Sequence, residues 1–236
     1  MTTLAIIQTR QDQGLIQLSL DWLKSIGAAR DQYHFTVLPP ITGPAAVGGD
    51  VVYRLVSRTD VQIVCGMAHG NATGFLDFNG SPLFSPAAPL PNVANKIVHL
   101  LACNSADSLG KAFIDAKVAA FVGYQGTISL NLNDPTAHAL VASDAQIDID
   151  VLSGKGLLPD AVSTARKSLE AQGLFTTASQ LMLYVPQNPG GAQPAELASA
   201  SVFSRNLLER SIAARALTSR QTPSRELAGS GGYVSL

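Results

Sequence analysis

The chain has 236 residues, of which 46% are hydrophobic and 14% charged, and its formal net charge is −1. That is enough apolar material for one sizeable core plus an extension. A nearly neutral chain gives no electrostatic reason to expect a nucleic-acid or membrane partner. Two cysteines, Cys65 and Cys103, are too few for a disulfide framework. No apolar run is long enough to cross a bilayer. The start, MTTLAIIQTRQDQG, lacks the basic flank and long apolar stretch of a secretory signal, so the expected location is cytoplasmic.

In chain order, Leu4 to Gln8 is a short apolar run and the first expected strand. Asp12 to Ile26 carries Leu15, Leu18, Trp22 and Ile26 at helical spacing, with Gly27 as a stop signal. His34 to Leu38 reads as a second strand, closed by Pro39-Pro40. Residues 41–50 read as a loop, and Val51 to Val56 as a second helix. Val61 to Gly66 is a buried strand that breaks at His69-Gly70.

Residues 71–95 are rich in Gly, Asn and Pro and suit a small hairpin over the sheet edge. Ile97 to Ala102 is another buried strand, and it breaks at Cys103. Residues 106–116 read as a helix, with Ser105 and Asp107 available to cap it. Val118 to Tyr124 is a further strand, and Thr127 to Leu132 an extended piece. Thr136 to Leu152 and Pro159 to Gln172 read as helices, the second with Pro at its start. Alternating strands and helices predict an α/β fold, a three-layer sandwich with a mostly parallel sheet covered on both faces. Residues 1–186 would form the domain, 187–194 (QNPGGAQP) a linker, and 195–236 a helix and a loose tail.

Two reactive side chains end two apolar strands, His69 and Cys103. If those strands are parallel neighbours, both residues share the carboxyl edge, where open α/β sheets place their sites. A thiolate is the nucleophile of acyl transfer. Cys103 sits just before a helix start, whose unpaired N–H groups favour negative charge. An imidazole beside it can take the thiol proton and later protonate a leaving amine. Gly70 lets a substrate carbonyl approach the backbone, and the amides of Gly70 and Cys103 are candidate oxyanion donors. Taken singly, each residue has a plain alternative. A cysteine ending a strand often serves as small apolar filler, and His-Gly often marks a turn. The pairing at successive strand ends favours a cysteine–histidine dyad.

AHG at 68–70 together with LLACNSADSLGKAFIDA at 100–116 resembles the caspase-like cysteine peptidases of clan CD, in particular their bacterial CHAT branch, which is related to separases. AAFVGYQG at 119–126 and GLLPDAVSTARKSLEAQ at 156–172 extend the likeness, which covers roughly residues 60–175. The resemblance implies the caspase-haemoglobinase-like fold and endopeptidase activity. It makes His69 the general acid/base, Cys103 the nucleophile and Gly70 an oxyanion contributor. It also implies a specific protein substrate, such as a gasdermin-like pore-forming protein in bacterial defence. The chain departs from the pattern at Lys117, where many relatives have Gly, and at SLNLN (129–133), where many have a Trp-Pro pair. A catalytically inactive scaffold that binds a peptide or protein partner is the alternative.

Specificity is expected from the carboxyl edge, where Arg10 would favour an acidic side chain and Asp12 or Asp134 a basic one. No cofactor is expected. A metal site from Cys65, His69, His99 and Cys103 is conceivable, but no Cys-x-x-Cys or His-x-x-x-His spacing supports it, so no metal is expected. Cys65 and His99 read as core residues and His138 as structural or solvated. The Gly-x-Ser-x-Gly elbow of serine hydrolases is absent, as is a phosphate loop. Leu109 stands where a cysteine phosphatase needs Arg.

Overall fold

In the computed structural model the described residues are 2–128 and 135–186. The first apolar run becomes β1 (Thr3–Gln8), whose six residues are all buried. Burial on both faces is what a central parallel strand requires. β1 is flanked on one side by β2 (Thr36–Val37) and β3 (Ile41–Thr42) and on the other by β4 (Ile63–Met67). Beyond β4 lie β8 (Ile97–Leu101), β9 (Ala120–Tyr124) and β10 (Leu181–Tyr184). The order is β10-β9-β8-β4-β1-β2, and every pairing is parallel except that of β10 with β9.

Helices α1 (Gln13–Tyr33), α4 (Pro135–Ser153) and α5 (Leu158–Ala171) cover one face of this sheet. Their buried side chains, among them Trp22, Ile26, Leu140, Ile147 and Leu169, pack on Leu4, Ile6, Ile63 and Ile97. α2 (Gly49–Val56) and α3 (Ser105–Asp115) cover the other face through Val52, Val56, Leu109 and Phe113. The expected three-layer α/β/α sandwich is therefore observed. The short helix α6 (Phe175–Gln180) leads into β10.

The segment after β4 forms a separate three-stranded antiparallel sheet of β5 (Gly70–Asn71), β6 (Gly74–Leu76) and β7 (Pro82–Phe84). Phe75 and Phe84 lie 5.7 Å apart, Phe84 and Phe113 5.7 Å, and Phe113 and Phe121 5.2 Å between ring centroids. This row of rings joins the small sheet to α3 and then to β9. Aromatic pairs of this kind add about 0.5–1.5 kcal/mol each beyond the area they bury.

Several local expectations change. α1 continues past Gly27 to Tyr33, because Ile26 and Ala29 remain buried and extend the apolar stripe. That burial outweighs the cost of about 1 kcal/mol for a glycine inside a helix. The helix ends instead at His34, which takes φ 58° and donates its N–H to the Arg30 carbonyl. The second strand is shorter than expected, Thr36–Val37, and stops before Pro39-Pro40, since proline brings no N–H to a ladder. Part of the 41–50 loop is ordered as β3 and a turn of 3-10 helix at Gly43–Ala45. β10 was not foreseen.

Ser105 and Asp107 do not cap α3. The N-cap residue is Asn104, in the left-handed region at φ 54°. Ser105 Oγ instead donates to the Leu100 carbonyl and accepts from Tyr124 N, and Asp107 accepts from Gly126 N. The two side chains bind the strand-to-helix turn to β9 and the loop after it. The expected linker at 187–194, the segment 195–236 and Asp134 lie outside the described residues, as do 129–133.

Candidate active site

β4 and β8 pair in parallel, and their last registered pair is Met67 with Leu101. Ala68 N continues the contact by donating to the Leu101 carbonyl. His69 and Cys103 each stand two residues beyond that last pair, so both emerge at the carboxyl edge of neighbouring strands. The two chain ends stay in contact there. A Cβ built on Gly70 would lie 2.1 Å from the Cys103 carbonyl oxygen. Any side chain at position 70 would thus force the two strand ends apart.

Cys103 is half-buried, ahead of the left-handed Asn104 and the first turn of α3. Its Sγ accepts a hydrogen bond from Ile128 N at 3.2 Å. The same sulfur lies 3.7 Å from the Ile128 carbonyl, to which its S–H donates, so both backbone groups of Ile128 hold the Cys103 side chain. His69 is half-exposed, and its Nε2 lies 2.5 Å from Asp12 Oδ2. The His69 amide donates to Gln11 Oε1, which also accepts from the Thr9 hydroxyl. The turn between β1 and α1 thus fixes His69 by both backbone and ring.

Asp12 is the N-cap of α1 and accepts from Leu15 N with its other oxygen, Oδ1. The Leu15 amide is the main reason its carboxyl is held below the ordinary carboxylate value, with the His69 ring adding to the effect against some desolvation. Both of its oxygens are engaged, one by the helix start and one by the imidazole. Asp12 thereby links the start of α1 to the His69 ring. Sequence reasoning placed Asp12 on the correct edge but missed its contact with His69. The available signal was its position immediately before a helical run, which marks a cap and fixes where the carboxylate sits.

Arg10 also lies on this edge, in the left-handed region at φ 52°. Its Nη2 donates to Gln8 Oε1 at 3.2 Å, and its buried Nε has no hydrogen-bond partner among the described residues. Lys117, where the family pattern has Gly, takes φ 65°. The position needs the left-handed conformation, which glycine adopts freely and lysine does not. His138 pairs with Asp21 across α4 and α1 and remains half-exposed, as expected of a structural residue.

Deeper along the same strands, Cys65 and His99 are a registered cross-strand pair. His99 is 2% exposed, with Nδ1 3.0 Å from Asp148 Oδ2 and Nε2 3.0 Å from Asp144 Oδ1. Tyr124 donates its hydroxyl to the same Asp144 oxygen at 2.8 Å. Burial, and then the two aspartates, push the Cys65 thiol well up, so it is no nucleophile in this setting. Burial alone would lower the His99 value, but the two carboxylates outweigh it and hold the ring well above its ordinary value. The expectation of a satisfied core histidine is met. The partners Asp144 and Asp148 were not foreseen.

By sequence, the chain matches no family model and no curated protein. By structure, it is similar to the Arg-specific cysteine proteinase gingipain R, with a TM-score of 0.52 and 13% identity, covering 78% of this chain and 46% of that one. A second similar structure is the separase of Saccharomyces cerevisiae in its complex with securin, with a TM-score of 0.46 and 13% identity, covering 78% of this chain and 12% of that one. The chain spans less than half the length of the gingipain it matches. The gingipain likeness identifies the fold as the caspase-haemoglobinase-like sandwich.

Proposed function

We propose that the chain is a caspase-like cysteine endopeptidase that uses His69 and Cys103. The observation that carries this reading is the register of β4 and β8, which brings a histidine and a cysteine to one edge with Gly70 against the Cys103 carbonyl. With Nε2 turned to Asp12, the His69 ring keeps that proton and presents Nδ1 as the base. Nδ1 takes the proton of the Cys103 thiol, and the thiolate adds to the scissile carbonyl. The amides of Gly70 and Cys103 would receive the developing oxyanion, a contribution of roughly 3–4 kcal/mol per donor. The C–N bond then breaks as the imidazolium returns its proton to the leaving amine. Water, activated by the same imidazole, hydrolyses the thioester and regenerates the thiol.

Asp12 would hold the ring orientation and stabilise the imidazolium while it carries the proton. Arg10 is proposed as the residue of this edge that would favour an acidic substrate side chain, through the positive charge of its guanidinium. Asp134 is proposed as a further specificity residue. The finer reading is a member of the CHAT branch that cuts one protein partner, such as a gasdermin-like pore-former, in the bacterial cytoplasm. Among the described residues no helix is long and apolar enough to cross a membrane.

A peptide-based acyloxymethyl ketone tests the chemistry. Stoichiometric modification of Cys103, lost in His69→Ala, supports the peptidase. Folded protein whose Cys103 the ketone leaves unmodified would instead favour a peptide-binding scaffold. Co-expression with neighbouring gene products, wild type against Cys103→Ala, would reveal a shortened partner.

A further inference from the structure

The buried cluster formed by Cys65, His99, Asp144 and Asp148 does nothing in the proposed hydrolysis, yet it is the most polar part of the core. Cys65 and His99 face each other across β4 and β8, and Asp144 and Asp148 lie one turn apart on α4 above them. One ligand atom from each of Cys65, His99 and Asp148 falls within 4.8 Å of the others, and all three residues are buried. A cavity of about 10 Å³, close to the room one water needs, is lined by Cys65, His99 and Asp144. We propose that this cluster is a structural metal site for zinc or a similar divalent transition ion, with Cys65, His99 and Asp148 as ligands.

The chemistry of each group fits its assigned place. Thiolate, imidazole and carboxylate are the three donor types zinc takes, with Zn–S about 2.3 Å and Zn–N and Zn–O about 2.0–2.2 Å. A tetrahedral ion would hold sulfur and nitrogen about 3.5 Å apart, so a movement of about 1 Å closes the set. The thiolate and the Asp148 carboxylate together cancel the charge of a divalent ion. The nitrogen of His99 facing Asp148 is Nδ1, and it would turn to the metal. Nε2 then donates to Asp144, which Tyr124 also holds. A ligating imidazole with its second nitrogen on a carboxylate is the usual outer arrangement around zinc. The adjoining cavity gives room for the fourth ligand, a water.

Without an ion, both carboxylates hold the one imidazole, Asp148 at Nδ1 and Asp144 at Nε2. Loading would release the thiol proton of Cys65 and one imidazole proton, which pass to solvent. The site would pin α4 to the middle of β4 and β8.

The test uses the full chain without an affinity tag, produced in zinc-supplemented and in cobalt-supplemented medium. The purified protein should carry about one equivalent of metal. The cobalt form should show a thiolate-to-cobalt charge-transfer band. Both should persist in Cys103→Ala, and Cys65→Ser should lose the band and cut the metal content at least tenfold. Asp144→Asn should weaken retention against a chelator by about 10–100-fold. Less than a tenth of an equivalent in folded wild-type protein would overturn the assignment, leaving a metal-free hydrogen-bonded network. So would metal that survives Cys65→Ser or departs with Cys103→Ala. None of these readouts depends on peptidase activity, so the two proposals fail separately.

Discussion

β4 and β8 carry two cysteine–histidine pairs on the same side of the sheet, four residues apart along each strand. In the inner pair, Cys65 is on β4 and His99 on β8, in register with each other. In the outer pair the residues are exchanged, with His69 following β4 and Cys103 following β8. The inner thiol is buried beneath two aspartates, and the outer one meets an amide and a helix start. The inner imidazole is fully enclosed, while the outer one is half-exposed on Asp12. Identical side chains thus meet different surroundings, one thiol enclosed in the core beside carboxylates and the other at the carboxyl edge beside a backbone amide.

The most direct way to break this contrast is a plain alkylating agent. Cys103 should react at least about 10³-fold faster than Cys65, because the latter needs the core to open, at a cost of several kcal/mol. Peptide mapping against time would show it, and comparable rates in native protein would remove the distinction between the pairs. Next in size, Cys103→Ala should abolish peptide cleavage, and His69→Ala should lower kcat about 10²–10⁴-fold. Cys65→Ala should leave kcat within about threefold, if depth separates the two pairs as described. A fluorogenic peptide library would measure all three.

A smaller effect is expected on stability. His99→Ala leaves two buried carboxylates facing each other and should cost about 3–5 kcal/mol in urea denaturation. His69→Ala, on the exposed edge, should cost less than about 1 kcal/mol. The smallest effect concerns Asp12→Asn, which retains a good N-cap residue and should change stability at pH 7 by about 1 kcal/mol or less. The Asp12 carboxyl is depressed below the ordinary aspartate value of 3.8. Its contribution is therefore fully present above pH 3.8 and disappears as the pH falls through the lowered value. The difference between wild type and variant should stay constant from pH 7 to about 5 and shrink below about 3.8. A difference that shrinks between pH 7 and 5 instead would point to a partner other than the Leu15 amide.

What the sequence disclosed depends on how far the signal travels along the chain. β1, β4, β8 and β9 are apolar runs ended by turn residues, and their burial on both faces makes them legible as parallel strands. The outer pair was legible for the same reason, since strand ends define the edge. β10 was not, because Leu181–Tyr184 is four residues long and three of them are only partly buried. The carboxylate partners were hidden by distance: Asp12 is 57 residues from His69, and Asp144 and Asp148 are 45 and 49 from His99. For the last two a trace was present. Asp144 and Asp148 share a helix face with Leu140, Val141 and Leu152, where a carboxylate has no place unless something polar lies below.

The row of rings from Phe75 to Phe121 determines how the edge fails under heat. The strands that follow His69 and the helix that follows Cys103 rest on one shared stack, with no hinge between them. Thermal inactivation should then coincide with global melting instead of preceding it, and a single calorimetric peak should account for the loss of both.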